Sequence, residues 1–314
     1  TLTVGVYETW LSRGSLEGAA RIAMLLLALM ALLLLVERYL RAGGIEQKSK
    51  HNLAPILHKP TPLMQGVILI ISSLPFLIGF VLPVVLLIIF SLGRFENADG
   101  LFSAATRSIV LASATAIIVV GIGLFLAFLT RINTPGWLNK SIQTASLGYA
   151  IPGTVLGLGV LIALSQFDNF SSQLLNLSFL PILSGSLFAL IFAYSLRFLS
   201  ISFGTFEAEL SRIPKTTDMA ASTLGARTFQ LLRLVHLPML RPALITASVL
   251  IFVDTMKELP ATLILRPFNF ETLATQVYNY ASVGQIEDAA LPALIIVGVG
   301  IIPVFVATRK LHKL

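Results

Sequence analysis

The amino-acid sequence predicts an all-α protein that crosses a membrane several times. Of its 314 residues, 56% are hydrophobic and only 12% are charged, whereas an average soluble domain carries about 25% charged residues. The mean hydropathy is +0.88. So few charges cannot form a surface that faces water, and we therefore expect most of the surface to contact membrane lipid.

Long uncharged runs place the membrane spans along the chain. A helix needs about 20 apolar residues to cross the hydrocarbon core. Runs without a charged residue cover residues 22–36, 60–93, 108–130, 141–167, 169–196 and 289–308. Another run begins at Pro242 and meets Asp254, and it is long enough if the helix continues through the sequence DTMKELPATLIL. We therefore predict seven spans, the first of which is short and requires Arg21 and Glu37 to lie at the interfaces.

The distribution of lysine and arginine predicts how these spans are oriented. If the segment after the first span is cytoplasmic, 16 of the 22 basic residues fall on the cytoplasmic side, which is where membrane proteins carry their excess of lysine and arginine. We therefore expect the segment 197–241 and the C-terminus to face the cytoplasm. Because the basic residues flank the spans, the net charge of +7 does not predict binding to nucleic acid.

The spans divide the chain into three predicted parts. Residues 1–36 are expected to be the last span of an upstream half whose beginning is missing, and residues 37–62 form a polar cytoplasmic linker punctuated by glycine and proline. Residues 63–314 form a six-span module that contains a long polar loop at 201–241. The chain has no cysteine, which excludes disulfides and thiolate metal sites. It also lacks the Gly-x-x-x-x-Gly-Lys-[Ser/Thr] phosphate loop, so we expect no cofactor, no catalytic residue and no ATP hydrolysis by this chain alone.

The most polar stretch of the module, the elbow, comprises Pro214–Pro242 with the sequence PKTTDMAASTLGARTFQLLRLVHLPMLRP. Pro214 stops the preceding helix, and Thr216 or Thr217 is expected to N-cap a short helix with Asp218 in its first turn. Gly225 then breaks or caps this helix. A second helix follows and ends at two prolines, so the pattern predicts two short helices along the inner face of the membrane. An ordinary interfacial loop would carry the same features.

The order of residues in the elbow resembles the cytoplasmic signature of binding-protein-dependent ABC transporter permeases. That signature is Glu-Ala-Ala, three residues, Gly, nine residues and Ile-x-Leu-Pro, and it falls between the fourth and fifth spans of a six-span module. The matching residues here are Met219, Ala220, Ala221, Gly225, Val235, Leu237 and Pro238. Met219 replaces the usual glutamate and so removes a carboxylate, for which Asp218 can partly substitute. Val235 replaces isoleucine with little change in size.

The resemblance implies a six-span importer module, preceded here by one extra span. It implies that loop 201–241 is a coupling loop, whose coupling helix docks on a separate cytoplasmic ATPase dimer. The implied coupling residues are Asp218, Met219, Ala220, Ala221, Gly225, Leu237 and Pro238. The other implied partners are a periplasmic substrate-binding protein and a second permease half, with the chain embedded in the lipid of the inner membrane.

Further phrases resemble the ferric-iron branch of these permeases. They are KELPAT at 257–262, LRP at 265–267, FETLA at 270–274 and IPGTVLGLG at 151–159. The opening sequence TLTVGVYETW resembles the middle of such permeases, whose single chain often holds two six-span halves. Permeases for thiamine, polyamines or anions share much of the same pattern, so these cargoes remain alternatives.

Three charged residues near the outer end of the fifth span of the six-span module are candidates for a translocation path. Asp254 and Glu258 are four residues apart, which would place them on one helical face with Lys257 in reach. Ferric iron prefers oxygen ligands, so these carboxylates with Tyr278 or Tyr280 nearby are chemically suitable. The alternative is that Lys257 neutralises the carboxylates and the cluster only fixes the helix or an outer gate. We expect no tight metal site, and we expect the four histidines to be interfacial side chains.

Two other classes of protein compete with this interpretation. A secondary transporter driven by an ion gradient needs functional charges deep in several spans, whereas the uncharged runs leave the middles of the predicted spans almost free of charge. A structural membrane scaffold would leave the patterned elbow without a purpose. The sequence therefore favours an importer permease that depends on a separate ATPase.

Overall fold

The computed structural model describes residues 2–42, 61–92, 100–132, 135–175 and 183–311, and every regular element in these ranges is a helix. The helices are α1 (Leu2–Leu11), α2 (Leu16–Ala42), α3 (Pro62–Ser91), α4 (Leu101–Arg131), α5 (Gly136–Ala145), α6 (Gly153–Leu175), α7 (Leu187–Arg212), α8 (Lys215–Thr223), α9 (Thr228–Met239), α10 (Arg241–Met256), α11 (Pro260–Leu265), α12 (Leu273–Ser282) and α13 (Ile286–Leu311). The predicted all-α fold is confirmed.

Six of these helices are long and apolar enough to cross a membrane. They lie in α2, α3, α4, α6, α7 and α13. A seventh span exists only if α9 and α10, which meet at a 76° bend, are counted as one broken span. The expected continuous helix through the sequence DTMKELPATLIL is wrong, because α10 ends at Met256 and α11 restarts at Pro260. Pro260 has no N–H with which to bond the carbonyl of Met256, four residues earlier, so a continuous helix would lose that hydrogen bond.

The fourth and fifth predicted spans, 141–167 and 169–196, have different boundaries in the structure. The run 141–167 is divided between α5, a 3₁₀ turn at Ser146–Ala150 and α6, and α6 continues past Asp168 to Leu175. Asp168 is buried, and its carboxylate accepts hydrogen bonds from the backbone N–H groups of Leu183 and Ser184 at 2.9–3.2 Å. The charge therefore lies inside a helix and ties that helix to the start of α7, instead of separating two spans.

Helix α7 forms the centre of the bundle. The side chains of Tyr194, Phe198 and Phe206 are almost fully buried, and they join a core that extends into α4 and α10. The α4–α7 contact is close enough that a Cβ at Gly123 would meet the Ser202 side chain at 2.1 Å from its Oγ. Arg197 lies in the middle of α7 and not in a cytoplasmic loop as predicted, so the polar loop begins only after Arg212.

The N-terminal helices α1 and α2 pack against α6. Val6, Ala19 and Ala23 form a small buried cluster with Leu158 of α6. Helix α2 continues to Ala42, six residues beyond the predicted end of the first span. Most of the predicted linker 37–62 lies outside the described residues, and the division of the chain into three parts stays a prediction.

Candidate functional site

The first elbow helix, α8, begins immediately after Pro214, which is its N-cap residue. Pro214 suits this position because its ring fixes φ and because it has no N–H with which to continue the hydrogen bonds of α7. Thr216 and Thr217 lie within the helix, so the prediction that one of them caps it is wrong. Asp218 lies in the first turn as predicted, where its negative charge favours the positive end of the helix.

Gly225 ends α8 in a Schellman turn. Its φ is +83°, its N–H donates to the carbonyl of Ser222 at 3.0 Å, and the N–H of Ala226 donates to the carbonyl of Ala221 at 3.0 Å. A residue with a Cβ is strained at this φ, whereas glycine adopts it freely. The predicted capping role of Gly225 is therefore confirmed.

The second elbow helix, α9, is distorted where its sequence places proline. Leu231–His236 form a π-helical turn in which the N–H of Leu237 reaches the carbonyl of Leu232. Pro238 follows directly and has no N–H for a regular bond to Leu234. After Met239 the chain bends by 76° into α10, which has Pro242 in its first turn. The elbow is thus two short helices that lead directly into the next helix of the bundle.

The outer surface of the elbow carries four large apolar side chains among polar ones. Met219, Leu224, Phe229 and Leu234 are exposed, and Leu224 exposes 89% of its surface. Ala221 is buried against the rest of the protein, whereas Ala220 and Pro238 are exposed and Leu237 is half-buried. Exposed apolar side chains of this size in one segment are typical of a surface that another molecule covers. We call Met219, Leu224, Phe229 and Leu234 the apolar ridge.

Asp218 points in the opposite direction, into the protein. Its Oδ2 lies 2.7 Å from Nε of Arg131, and its Oδ1 lies 3.1 Å from Nε2 of His236. His236 is completely buried and its ring contacts Phe128 at 5.7 Å between centroids, so the prediction of an interfacial histidine is wrong here. Burial lowers the pKa of His236, and the neighbouring Arg131 adds to this, while Asp218 opposes it. The other three histidines lie outside the described residues.

A second charged group lies deeper in the bundle, where Arg197 of α7 meets Glu258. Nε of Arg197 lies 3.4 Å from Oε2 of Glu258, which exposes only 7% of its side chain. Glu258 also accepts a hydrogen bond from the N–H of Ala261 at 3.2 Å, and Arg197 lies over the ring of Tyr149. A Cβ at Gly153 would come within 2.6–2.7 Å of both charged groups, so glycine leaves room for the pair.

The position of the pair along α7 can be compared with the thickness of a membrane. Arg197 is 15 residues before Arg212, the last residue of α7, which corresponds to about 22 Å along a helix that rises 1.5 Å per residue. The hydrocarbon core is about 30 Å thick. If the elbow lies at one membrane surface, the pair lies within this core, where ionised groups are costly and mark functional positions.

Asp254 and Lys257 form a separate pair at the end of α10. Their side chains meet at 2.8 Å, and Lys257 exposes 63% of its side chain. The predicted pairing of Lys257 with Asp254 is confirmed. The prediction that Asp254 and Glu258 share one helical face is wrong, because α10 ends between them and Glu258 pairs with Arg197 instead. The described residues hold no group of three or more histidine, aspartate or glutamate side chains that could bind a metal ion.

Comparison with known proteins connects this geometry to a class of transporter. No family profile matches the chain. The chain is 26% identical over 250 residues to the putative 2-aminoethylphosphonate transport system permease protein PhnV of Salmonella paratyphi A, which covers 73% of this chain and 88% of the relative. It is 24% identical over 323 residues to the Fe(3+)-transport system permease protein FbpB 2 of Haemophilus influenzae. This alignment covers all of the chain and 61% of the relative. The chain also superposes on a chain in the crystal structure of a bacterial alginate ABC transporter bound to a periplasmic protein. The superposition covers 80% of this chain and 94% of the other, with a TM-score of 0.63 and 16% sequence identity.

The chain is similar to ABC transporter permeases. The relatives bear the names of permease proteins and not of enzymes, and the chain shares its fold with a chain of the alginate ABC transporter. The chain spans about three fifths of the length of the ferric relative. These findings agree with the resemblance of the elbow to ABC transporter permeases, and the names of the relatives differ in their cargo.

Sequence reasoning missed four residues of these sites: Arg131, Gly153, Arg197 and His236 act through contacts that are distant in the chain. Arg197 interrupts an apolar stretch that is helical on both sides, and this pattern could have indicated a charge inside a span. Arg131 and His236 carried no such signal, because their partners Asp218 and Phe128 are recognised only once the helices are packed.

Proposed function

We propose that this permease forms the membrane pathway of an ATP-driven importer and that its elbow is the coupling helix. A cytoplasmic ATPase dimer supplies the energy, a periplasmic substrate-binding protein delivers the cargo, and a second permease half completes the pathway. The observation that carries this proposal is the apolar ridge on the elbow. Met219 belongs to this ridge at the position where the signature has glutamate, so the groove of the ATPase is expected to be apolar there.

The geometry of the elbow suits the transmission of movement. Helix α9 leads through a single bend into α10, and α8 follows directly from α7. A displacement of the elbow by nucleotide-driven closure of the ATPase therefore moves two helices of the bundle. The importer alternates between outward- and inward-facing states, and nucleotide shifts the balance between them. The elbow and the C-terminus face the cytoplasm in this proposal, with the inner membrane as the location.

Ferric iron is the cargo that we propose first. The ferric relative aligns with the whole chain, and the phrases KELPAT, LRP and FETLA belong to the same resemblance. The path residues Asp254, Lys257 and Glu258 would then line the route of the cargo. They form no tight metal site in this proposal, since Lys257 and Arg197 already neutralise the two carboxylates.

A 2-aminoethylphosphonate-like cargo is the second candidate. The match to the phosphonate permease covers 88% of that protein, and the charges around α11 are balanced, with two carboxylates and two basic groups. A balanced path does not favour a cation over a zwitterion. For the same reason, thiamine, polyamines and anions remain alternative cargoes.

ATP-dependent uptake by the reconstituted permease, with its ATPase and binding protein, tests both parts of the proposal. We expect labelled ferric iron to enter only with ATP, and excess 2-aminoethylphosphonate, thiamine or polyamine not to compete. Competition by one of these compounds would reassign the cargo. Uptake that follows an ion gradient without ATP would identify a secondary transporter and contradict the proposal.

A further inference from the structure

Arg131 holds three parts of the structure together at the elbow. It is the last residue of α4, and its side chain is only 9% exposed. Its Nε donates to Oδ2 of Asp218 at 2.7 Å, which lies in the first turn of α8. Its remaining nitrogens donate to carbonyl groups at the end of α7 and just beyond it: Nη1 to Leu210, and Nη2 to Ile213 at 3.0 Å and Pro214 at 3.3 Å.

The guanidinium group is chemically suited to this position. The last carbonyls of α7 have no partners within their helix and form its negative end, whereas the first turn of α8 is a positive end that favours the carboxylate of Asp218. Arginine presents five donors in a planar fork, so it can bind carbonyls and a carboxylate at once. Lysine carries the same charge but has one nitrogen, which cannot occupy both sets of positions.

The contact links the elbow to a helix that is distant in the sequence. The polypeptide connects the elbow only to α7 and α10, and 83 residues separate Arg131 from Pro214. Helix α4 packs tightly on α7 through Gly123 and Ser202. His236 of α9 adds a second contact between the two parts, since its buried ring lies between Asp218 and Phe128 of α4.

We infer that Arg131 is a positioning residue for coupling, which makes α4 follow the elbow when the ATPase moves it. This inference rests on the proposed coupling function of the elbow. Without the Arg131–Asp218 contact the elbow can shift while α4 stays in place, and ATP is then hydrolysed without a complete change of the pathway. The expected defect is a loss of cargo moved per ATP, and not a loss of ATPase binding.

Four variants of the full permease, reconstituted with its ATPase and binding protein, test this role. Arg131→Lys removes the fork and keeps the charge, Asp218→Asn removes the carboxylate and keeps the volume, and the third variant combines the two. Arg212→Lys is the matched control, because Arg212 is an exposed arginine at the end of α7 whose ion pair is with Glu209, one turn earlier. The measured quantities are ATPase capture, ATP hydrolysis and cargo imported per ATP.

We expect each single variant to bind the ATPase normally, because the carboxylate of Asp218 faces Arg131 and His236 inside the protein and is no part of the apolar ridge. We expect it to lower the cargo imported per ATP about tenfold, the size of effect that follows from losing a hydrogen bond between charged groups. The double variant should be no worse than the poorer single variant, because both changes remove one contact. Arg212→Lys should be unchanged. Normal cargo per ATP in Arg131→Lys and Asp218→Asn, with the ATPase bound, would overturn the inference and leave the coupling function intact. Failure of the unmodified permease to bind an ATPase would overturn both.

Discussion

At the scale of single residues, the protein stabilises an ion pair inside its helical bundle. Glu258 is buried beside Arg197, and Gly153 leaves the space that both side chains need. An isolated buried charge has lost its hydration without compensation. Two opposite charges in contact offset part of this cost for each other. The pair therefore fixes the break between α10 and α11 against α7.

Replacement of Glu258 by glutamine tests this pairing. Arg197 would keep its charge without a partner, and breaking a buried pair in this way costs about 3–5 kcal/mol. We expect a clear fall in the thermal unfolding temperature of the purified protein, with most of it restored by the double change Arg197→Met and Glu258→Gln. Asp254→Asn is the control, since its partner Lys257 is largely exposed and such pairs contribute about 0–1 kcal/mol. Equal losses in Glu258→Gln and Asp254→Asn would contradict a special role for the buried pair.

At the scale of helices, the elbow depends on two backbone devices that set its shape. Gly225 reverses the chain after α8 with a left-handed φ, and Pro238 with the π turn before it redirects α9. Together they turn the apolar ridge outward while Asp218 faces the bundle. A change that alters the turn would therefore change the presentation of the ridge without touching the membrane spans.

Gly225→Asp and Gly225→Asn separate backbone strain from charge. Both residues adopt a left-handed φ less readily than glycine, although asparagine and aspartate do so more easily than most residues. We expect Gly225→Asp to insert normally, because no atom lies within 4 Å of a Cβ at this position, and to uncouple ATP hydrolysis from uptake. Gly225→Asn should have a weaker effect, since it adds no charge to the docking surface. Normal uptake by Gly225→Asp, at wild-type abundance in the membrane, would count against the docking role.

The same elements show which parts of the structure were accessible from the sequence. The elbow and the cap at Gly225 were predicted because proline, glycine and the spacing of Ala220, Ala221 and Leu237 act through local geometry. The boundaries near Asp168 and Arg197 were predicted wrongly because a charge was taken as the end of a span. Both charges instead lie inside helices. Tertiary packing alone brings their partners close: the backbone at Ser184 for Asp168, and the carboxylate of Glu258 for Arg197.

At the scale of the whole molecule, α4 extends from one end of the bundle to the other. Arg131 at its C-terminal end contacts the elbow, while Arg107 donates to the carbonyl of Asn269 near the other end at 2.7 Å. These arginines are 24 residues apart, about 36 Å along the helix. This distance exceeds the thickness of the hydrocarbon core, about 30 Å, so we expect the elbow and the loop that carries Phe268 to lie on opposite sides of the membrane.

The most direct test of the coupling proposal is cross-linking from single cysteines. The chain has no native cysteine, so Leu224→Cys on the apolar ridge and Phe268→Cys, where the native side chain is 95% exposed, each introduce one defined site. With the assembled transporter in inner-membrane vesicles, we predict that a short bifunctional reagent joins Leu224→Cys to the ATPase subunit and that Phe268→Cys gives no such product. Cross-linking of the ATPase through Phe268→Cys, or none through Leu224→Cys in a transporter that still imports its cargo, would contradict the proposal that the elbow receives the movement of the ATPase.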